Sequence, residues 1–350
     1  MSFELVLSSK FQAPENRKRE AVRAAHDQDQ ATLLELMNHY LTLKSARKAL
    51  TSSDTRLLYA VSVRRFLEFC GQASNRLEIT RLEADDVETW LVHLQAEGIK
   101  PGSVITYLNG VRCLYRALIW AKAATVNPAA EVKAPRDPTP AHLKKSALSP
   151  ALYRELVNAP LEKFAVDDPR RTRDGLLIAL GGSGGLRAKE IISLDVADVE
   201  MSFKRLTVQS GKGGKKRIIP LSNELLLLLK SWLEVRRGLE IRGEIPEIES
   251  ALIVSISRNQ RHGRRLTTHG ARFIAKGYYV AAGLPSEMWG LHTLRRTAGT
   301  HLYRATKDLH VVADLLGHAS VNTSAIYAKM DMETRRDALE KMEKMRDDLE

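Results

Sequence analysis

Apolar residues recur at a helical spacing in four consecutive stretches near the start of the chain. The stretches are "TLLELMNHYLTL", "DTRLLYAVSVRRFLEFC", "EADDVETWLVHLQAEG" and "SVITYLNGVRCLYRALIWAKA". Gly98 suits the end of the third helix, and Ser103 is a plausible N-cap for the fourth. The pattern predicts a four-helix domain over residues 29–131, preceded at 1–28 by a polar arm that is either flexible or a loosely held helix.

A proline-rich basic segment follows these helices. "VKAPRDPTPAHLKKS" contains three prolines, and its basic residues outnumber its acidic ones. Prolines stiffen a linker and interrupt helices. We therefore expect a domain boundary in a linker at 132–148, which could also lie along a nucleic-acid backbone.

The second domain, residues 149–330, is predicted to be mostly helical with one strand-rich interruption. Ser149 and Pro150 form a good N-cap and first helical position. "KRLTVQS" and "KKRIIPL" flank "GKGG" and predict a β-hairpin, and "ALIVSIS" is a third strand candidate. The last twenty residues, 331–350, predict an amphipathic helix, either folded back on its own domain or exchanged between protomers. The fold class is thus mainly α with a small antiparallel β-sheet.

Charge and composition narrow the class of partner. The net charge is +12, which favours a polyanionic partner. DNA is the commonest such partner, and an anionic membrane or an acidic protein are the alternatives that charge alone leaves open. No run of about 18 apolar residues appears, so we expect no membrane span and a cytoplasmic, nucleoid-associated protein. The two cysteines, Cys70 and Cys113, lie in apolar helical patterns and are interpreted as small core residues rather than as a disulfide or zinc site.

Several common kinds of metal and nucleotide site are excluded because their sequence motifs are absent. The chain lacks HExxH, CxxC and EF-hand patterns; "SGKGGKK" is not a P-loop, and "GGSGGL" does not continue as a dinucleotide fingerprint. Four local clusters remain in the second domain. They are Arg187 with Glu190, Lys212 at the hairpin tip, His292 with Arg295, and His318 nine positions before Tyr327.

Each cluster by itself has an ordinary interpretation. Arg187 and Glu190 could be a surface helix pair, and a hairpin-tip lysine is usually only solvated. His292 and Arg295 could lie on an exposed helix face. A single tyrosine such as Tyr327 is most often a core or rim aromatic.

Together, the ordered clusters resemble the tyrosine site-specific recombinases of the phage integrase and Xer family. "GLRAKEI" is similar to the family's first arginine box, and "GKGGKKRIIPL" to its hairpin lysine box. "HTLRRTAGTHL" is similar to its His-x-x-Arg box, and "LLGHASVNTSAIYA" to its closing His and Tyr box. Two departures are small: Gly184 stands where the family often has a hydroxyl or aromatic residue, and Lys189 where it often has serine. The resemblance covers about residues 30–330 and implies a core-binding domain followed by a catalytic domain.

The resemblance also implies a mechanism without a metal ion or other cofactor. Tyr327 would attack the scissile phosphate while Arg187 and Arg295 clamp its non-bridging oxygens. Lys212 would protonate the leaving 5′ oxygen, and His292 and His318 would handle the tyrosine proton in roles that the sequence leaves open. Glu190 would orient Arg187. Four protomers would act on two duplexes with a specific recombination site, through a 3′-phosphotyrosyl link and a four-way junction.

The basic residues around the hairpin and in "SRNQRHGRRL" are candidate phosphate contacts. They are Lys215, Lys216, Arg217, Arg258, Arg261, Arg264 and Arg265. The biological task is either Xer-like dimer resolution or integration and excision of a mobile element. The alternatives are a type IB topoisomerase-like nicking-closing enzyme and a catalytically silent DNA-binding accessory protein.

Overall fold

The chain forms two compact units. The computed structural model describes residues 9–46, 48, 51–72, 77–136, 147–209, 216–257, 260–318, 320–325, 327, 340 and 342. The units are Met1–Pro138 and Thr139–Glu350. Their border falls inside the segment where the sequence predicts the linker.

The regular secondary structure in the described part of the first unit is helical. After a short 3₁₀ turn at Ser9–Phe11, its helices are α1 (Pro14–Asp27), α2 (Gln30–Lys44), α3 (Ser53–Gln72), α4 (Ala84–Ala96) and α5 (Pro101–Trp120). Asp29 caps α2 by accepting a hydrogen bond from the Thr32 amide at 3.1 Å. Helix α5 begins at Pro101, two residues before the predicted N-cap Ser103, because proline is preorganised for the first helical position.

The polar arm packs into this unit rather than away from it. Phe11, Ala21 and Ala24 are fully buried in the helical core. The Arg17 guanidinium lies 4.0 Å from the centre of the Trp120 ring at the end of α5. Helix α1 is therefore a fifth helix of this unit. Alanines spaced along α1 let it approach the core closely.

Both cysteines lie in the same core. Cys70 is fully buried and Cys113 is 5% exposed. Burial raises the pKa of the Cys70 thiol to about 12 and that of Cys113 to about 11. The thiols thus behave as the small core residues predicted from the sequence.

The second unit combines seven described helices with a small sheet. Its helices are α6 (Pro150–Lys163), α7 (Arg170–Gly182), α8 (Ala188–Ser193), α9 (Asn223–Ile241), α10 (Thr268–Ala281), α11 (Leu291–Thr306) and α12 (Leu309–Leu316). Short 3₁₀ turns occur at Val196–Asp198, Met201–Phe203, Ser286–Met288 and Val321–Thr323. Ser149 caps α6 through a bond from the Leu152 amide, as predicted. Helix α7 is buried from Arg173 to Gly182 and packs against α6, α9 and α11.

The antiparallel sheet has the order β1 (Val199–Glu200), β2 (Arg205–Val208) and β3 (Arg217–Pro220). The β2–β3 pairing sets Val208 opposite Arg217 and Leu206 opposite Ile219. The two predicted hairpin strands are confirmed, while the tip at 210–215 lies outside the described residues. The mainly α fold class with a small antiparallel sheet is confirmed.

The third strand prediction is wrong in its position. "ALIVSIS" forms isolated bridges, Asp195 with Ala251 and Val254 with Arg265, and the third strand is β1. Each bridge is a single residue pair to a different segment, so these described residues form no ladder. The predicted C-terminal helix at 331–350 lies outside the described residues, apart from Glu340 and Met342.

Helices α3 and α5 depend on a glycine where they meet. A Cβ at Gly110 would fall 2.3 Å from Ser62 Cβ and 3.4 Å from Tyr59 Cα. We predict that Gly110→Ala destabilises the protein by about 1–3 kcal/mol, because overpacking outweighs the gain in helix propensity. Denaturant unfolding measures the change.

Gly102 supplies the matched control, since a Cβ there meets nothing within 4 Å. Gly102→Ala should leave the free energy of unfolding unchanged or slightly higher. Equal effects of the two substitutions would contradict the packing argument.

Candidate active site

The first arginine box forms a tight turn into helix α8. Gly185 has φ +65°, a left-handed conformation that suits glycine, and a Cβ there would fall 2.5 Å from Leu316 Cδ2. Arg187 is the N-cap residue of α8, and its amide donates to Glu190 Oε2 at 2.8 Å. The turn therefore fixes both the arginine and the carboxylate one helical turn later.

Glu190 is bound by three arginines among the described residues. Its side chain is 3% exposed and pairs with Arg187 at 2.7 Å, Arg217 at 2.8 Å and Arg295 at 3.8 Å. Burial alone raises the pKa of Glu190, but hydrogen bonds from Arg217 and from the Arg187 amide outweigh it and bring the pKa down to about 2. Glu190 is thus a carboxylate at any physiological pH.

Arg295 ties the arginine turn to the end of α12. It lies on α11 and is 5% exposed. Its two terminal nitrogens donate to Gly185 O at 2.5 Å and Leu316 O at 2.6 Å. Burial, then the charge of Arg187, lowers the pKa of Arg295 to about 10, so the guanidinium keeps its charge at neutral pH.

His318 follows α12 and the left-handed Gly317. Its Nδ1 lies 2.7 Å from Ser324 Oγ, and Ser324 is fully buried. Burial, then the charges of Arg295, Arg187 and Arg217, lowers the pKa of His318 to about 4. The imidazole is therefore neutral at pH 7 and can accept a proton.

Tyr327 packs flat beside His318. The ring centres are 6.2 Å apart with an interplanar angle of 4°. Tyr327 is 6% exposed and shares a small cluster with Val312 and Leu316. Burial raises the pKa of its phenol, while Arg295, Arg296 and Arg187 oppose the increase.

Gly299 on α11 makes room for this tyrosine. A Cβ at position 299 would fall 2.6 Å from Tyr327 Cζ and 3.0 Å from Leu316 Cδ1. The Nη1 atom of Arg296, on the same helix, is buried without a hydrogen-bond partner among the described residues. The side of α11 that carries these residues thus accommodates the phenol.

The structure brings four of the six predicted catalytic residues into one region. Arg187, Arg295, His318 and Tyr327 are linked through Glu190, carbonyl contacts and ring packing. His292 is exposed near the start of α11, and Lys212 lies outside the described residues.

The predicted phosphate contacts divide into three groups. Exposed positions are Lys216, Arg261 and Arg264, and positions outside the described residues are Lys215 and Arg258. Arg265 binds Asp195 at 2.5 Å and the Ile192 carbonyl at 2.9 Å, with 34% of its side chain exposed. Arg217 lies inside the site with its side chain 12% exposed, which differs from the surface role expected from the sequence.

Sequence reasoning missed Ser324, Gly299, Arg296 and the inward position of Arg217. Alternation along β3 was a usable signal for Arg217, because it shares a face with buried Ile219. Ser324 and Gly299 follow only from tertiary contacts. Among the described residues there is no cluster of three or more histidine, cysteine, aspartate or glutamate side chains that could bind a metal, and none of their helices could cross a membrane.

Family models match a segment of each of the two units. The Phage integrase family model matches residues 148–334, and the Phage integrase N-terminal SAM-like domain matches 38–122. Tyrosine recombinase XerD of Proteus mirabilis is 30% identical over 81% of this chain and 84% of its own length.

Solved structures have the same fold. XerH site-specific recombinase bound to palindromic difH substrate, in a post-cleavage complex, has a TM-score of 0.65 at 21% identity, covering 95% of this chain and 98% of that one. A lambda integrase tetramer bound to a Holliday junction has a TM-score of 0.61 at 19% identity, covering 85% and 76%.

The lowered pKa of His318 is directly measurable. We expect its imidazole to stay neutral from pH 8 to below pH 6, because protonation would place a cation in a partly buried site beside three arginines. Since the folded-state pKa lies below the unfolded value of about 6.5, its contribution to stability is present above pH 6.5 and is lost as the pH falls towards 4. NMR titration of histidine ring signals, assigned with His318→Gln, tests this, and a midpoint near 6.5 would contradict it.

The Gly299 contact predicts how well the phenol is protected. Gly299→Ala should displace the Tyr327 ring and destabilise the protein by about 1–3 kcal/mol. Nitration of Tyr327, followed by peptide mass spectrometry, should become several-fold faster. Gly277→Ala on α10 is the control, since a Cβ there meets nothing within 4 Å; unchanged nitration in Gly299→Ala would refute the packing role.

Proposed function

The chain belongs to the phage integrase family and is a tyrosine recombinase, and we propose that it cuts and rejoins DNA at a specific site through a covalent Tyr327 intermediate. The observation that carries this proposal is the convergence of residues from three separated sequence boxes. Arg187 and Arg295 meet at the buried carboxylate of Glu190. Arg295 also binds the carbonyl of Leu316, and the side chain of Leu316 packs in one cluster with Tyr327, whose ring lies parallel to that of His318.

In this mechanism the arginines bind the scissile phosphate. Arg187 and Arg295 are held by Glu190 and by the Gly185 and Leu316 carbonyls, so their donors are fixed before DNA arrives. Guanidinium groups suit phosphate oxygens because they present paired N–H donors and a permanent charge. Such preorganised charge stabilises the five-coordinate phosphorus that forms during attack.

Tyr327 is the nucleophile, and His318 is its proton acceptor. A buried phenol with a raised pKa needs a base, and a neutral imidazole stacked beside it provides one. Ser324 Oγ at His318 Nδ1 holds the ring orientation. His292 contributes a hydrogen bond to the phosphate from the start of α11.

Strand cleavage then proceeds without water or a cofactor. The Tyr327 oxygen bonds to phosphorus, the bond to the 5′ oxygen breaks, and Lys212 gives that oxygen its proton. A 3′-phosphotyrosyl link and a free 5′ hydroxyl result. A 5′ hydroxyl from another duplex reverses the attack, and two rounds give recombinant strands through a four-way junction.

The proposed assembly is a tetramer on two duplexes. It is supported by the lambda integrase neighbour, which is a tetramer on a Holliday junction, and by the net charge of +12. Exposed Lys216, Arg261 and Arg264, with Lys215 and Arg258, are proposed to bind backbone phosphates. The similarity to XerD favours the Xer-like task, dimer resolution, over movement of a mobile element.

Covalent capture tests the chemistry and identifies the DNA site in the same experiment. The full-length protein is incubated with sheared genomic DNA from its source, denatured with detergent, and the protein-linked DNA is recovered and sequenced. We expect recovered fragments to share one site, with the same yield in EDTA. Tyr327→Phe should abolish capture, because the phenyl ring cannot form the phosphodiester.

The outcomes separate the candidate functions. Exchange of strands between two labelled duplexes carrying the recovered site supports recombination, whereas relaxation of a supercoil alone supports a topoisomerase-like enzyme. A captured species that persists in Tyr327→Phe contradicts the proposed nucleophile. No captured species at all contradicts the proposed chemistry and favours a silent DNA-binding protein.

A further inference from the structure

Arg217 occupies a junction between three parts of the site. It is the first residue of β3, five positions after Lys212. Its Nη1 donates to Glu190 Oε1 at 3.0 Å, its Nη2 to Glu190 Oε2 at 2.8 Å, and its Nε to Leu315 O at 3.2 Å. All three guanidinium nitrogens therefore bind groups of the protein itself.

The two hydrogen bonds from Arg217 to Glu190 are bidentate, a geometry that fixes the direction of the side chain as well as its distance. Glu190 also receives the Arg187 side chain and amide, and Arg295 lies 3.8 Å away. Arg217 is thus the residue that engages both carboxylate oxygens through side-chain donors. It limits how strongly Glu190 can attract the two arginines proposed to bind phosphate.

The same side chain supports the segment that leads to His318. Arg217 donates to Leu315 O, and Arg295 to the next carbonyl, Leu316 O. A Cβ at Gly317, which has φ +61°, would fall 2.8 Å from Arg217 Cδ. The arginine stem thus lies against the left-handed turn that directs the chain out of α12 towards His318.

We propose that Arg217 is a positioning residue for strand cleavage, joining the strand that follows Lys212 to Glu190 and to the turn before His318. The inference rests on the proposed function, because it concerns the geometry of that same site. It differs from the phosphate contact expected from the basic run, whose other described member, Lys216, is exposed.

Removal of the Arg217 guanidinium should change the position of the other two arginines and the pKa of Glu190. Glu190 would keep its buried charge but lose its strongest partner, so the carboxylate would draw Arg187 and Arg295 towards itself. The pKa of Glu190 would rise, since the Arg217 hydrogen bond is the largest influence that lowers it against burial. Both changes oppose phosphate binding in the transition state more than they oppose DNA binding by the remaining surface.

The experiment compares Arg217→Gln and Arg217→Lys with wild type on the duplex recovered by covalent capture. Equilibrium binding is measured at several salt concentrations, and cleavage is measured in a single turnover at saturating DNA. We expect Arg217→Gln to slow cleavage roughly 10- to 100-fold, as small misplacements of reacting groups do. Affinity should stay within about threefold, with an unchanged salt slope.

The cleavage rate of Arg217→Lys should fall between those of wild type and Arg217→Gln, because an ammonium keeps the charge but lacks the bidentate geometry. Arg205→Gln is the matched control: Arg205 also pairs with a glutamate on this sheet, Glu200 at 2.6 Å, but at an exposed position away from the site. Its cleavage rate should stay near that of wild type. If Arg217→Gln does not fold, as judged by circular dichroism, Arg217→Lys carries the same comparison.

A double substitution tests whether Arg217 acts through Glu190, and the pH profile tests whether Arg217 lowers the pKa values of Glu190 and His318 in this site. Arg217→Gln should move the acid limb of the cleavage rate towards neutral pH. In a Glu190→Gln background the penalty of Arg217→Gln should shrink, because coupled residues are not additive. The inference would be overturned if the losses in cleavage rate from the two substitutions were additive and the acid limb of the pH–rate profile did not move.

A different result would show that Arg217 contacts a DNA phosphate. If Arg217→Gln weakens binding, reduces the salt slope by about one, and leaves cleavage at saturation unchanged, Arg217 binds DNA and does not position the site. Absence of any Tyr327-dependent covalent species in wild type is a failure of the proposed function, and the inference falls with it.

Discussion

The buried carboxylate of Glu190 is the interaction on which the catalytic unit depends. Arg187, Arg217 and Arg295 come from three distant parts of the chain and would repel one another without a shared anion. Burial and the charge of Arg187 already lower the pKa of Arg295 to about 10. One carboxylate, bound from several directions, lets the protein gather this positive charge before a phosphate is present to neutralise it.

The same positive charge shapes the surroundings of Tyr327, the proposed nucleophile. Burial is the main reason that His318 stays neutral, and the arginine charges add to it, since a protonated imidazole would be a further cation. The same charges partly oppose the burial that raises the pKa of Tyr327. Gly299 then lets the phenol lie within van der Waals distance of α11. Tyr327 is thus covered, and its raised pKa keeps the phenol protonated at neutral pH. In the proposed mechanism this would restrain attack until a phosphate enters.

Sequence patterns predicted those features that interactions between neighbouring residues in the chain determine. Helical periodicity located α2 to α5, and the Ser149–Pro150 pair located the start of α6. Residues brought together by tertiary packing were harder: nothing near Ser324 in the sequence indicates that it meets His318. The run of Lys215, Lys216 and Arg217 is uniformly basic, yet strand alternation turns Arg217 towards Glu190 while Lys216 stays exposed.

The two cysteines have a practical consequence. With thiol pKa values of about 12 and about 11 in a closed helical core, Cys70 and Cys113 carry almost no thiolate at neutral pH. A single cysteine introduced on an exposed helix would therefore be the preferred target of maleimide dyes in the folded protein. The native chain can thus be labelled for fluorescence distance measurements without first replacing its own thiols.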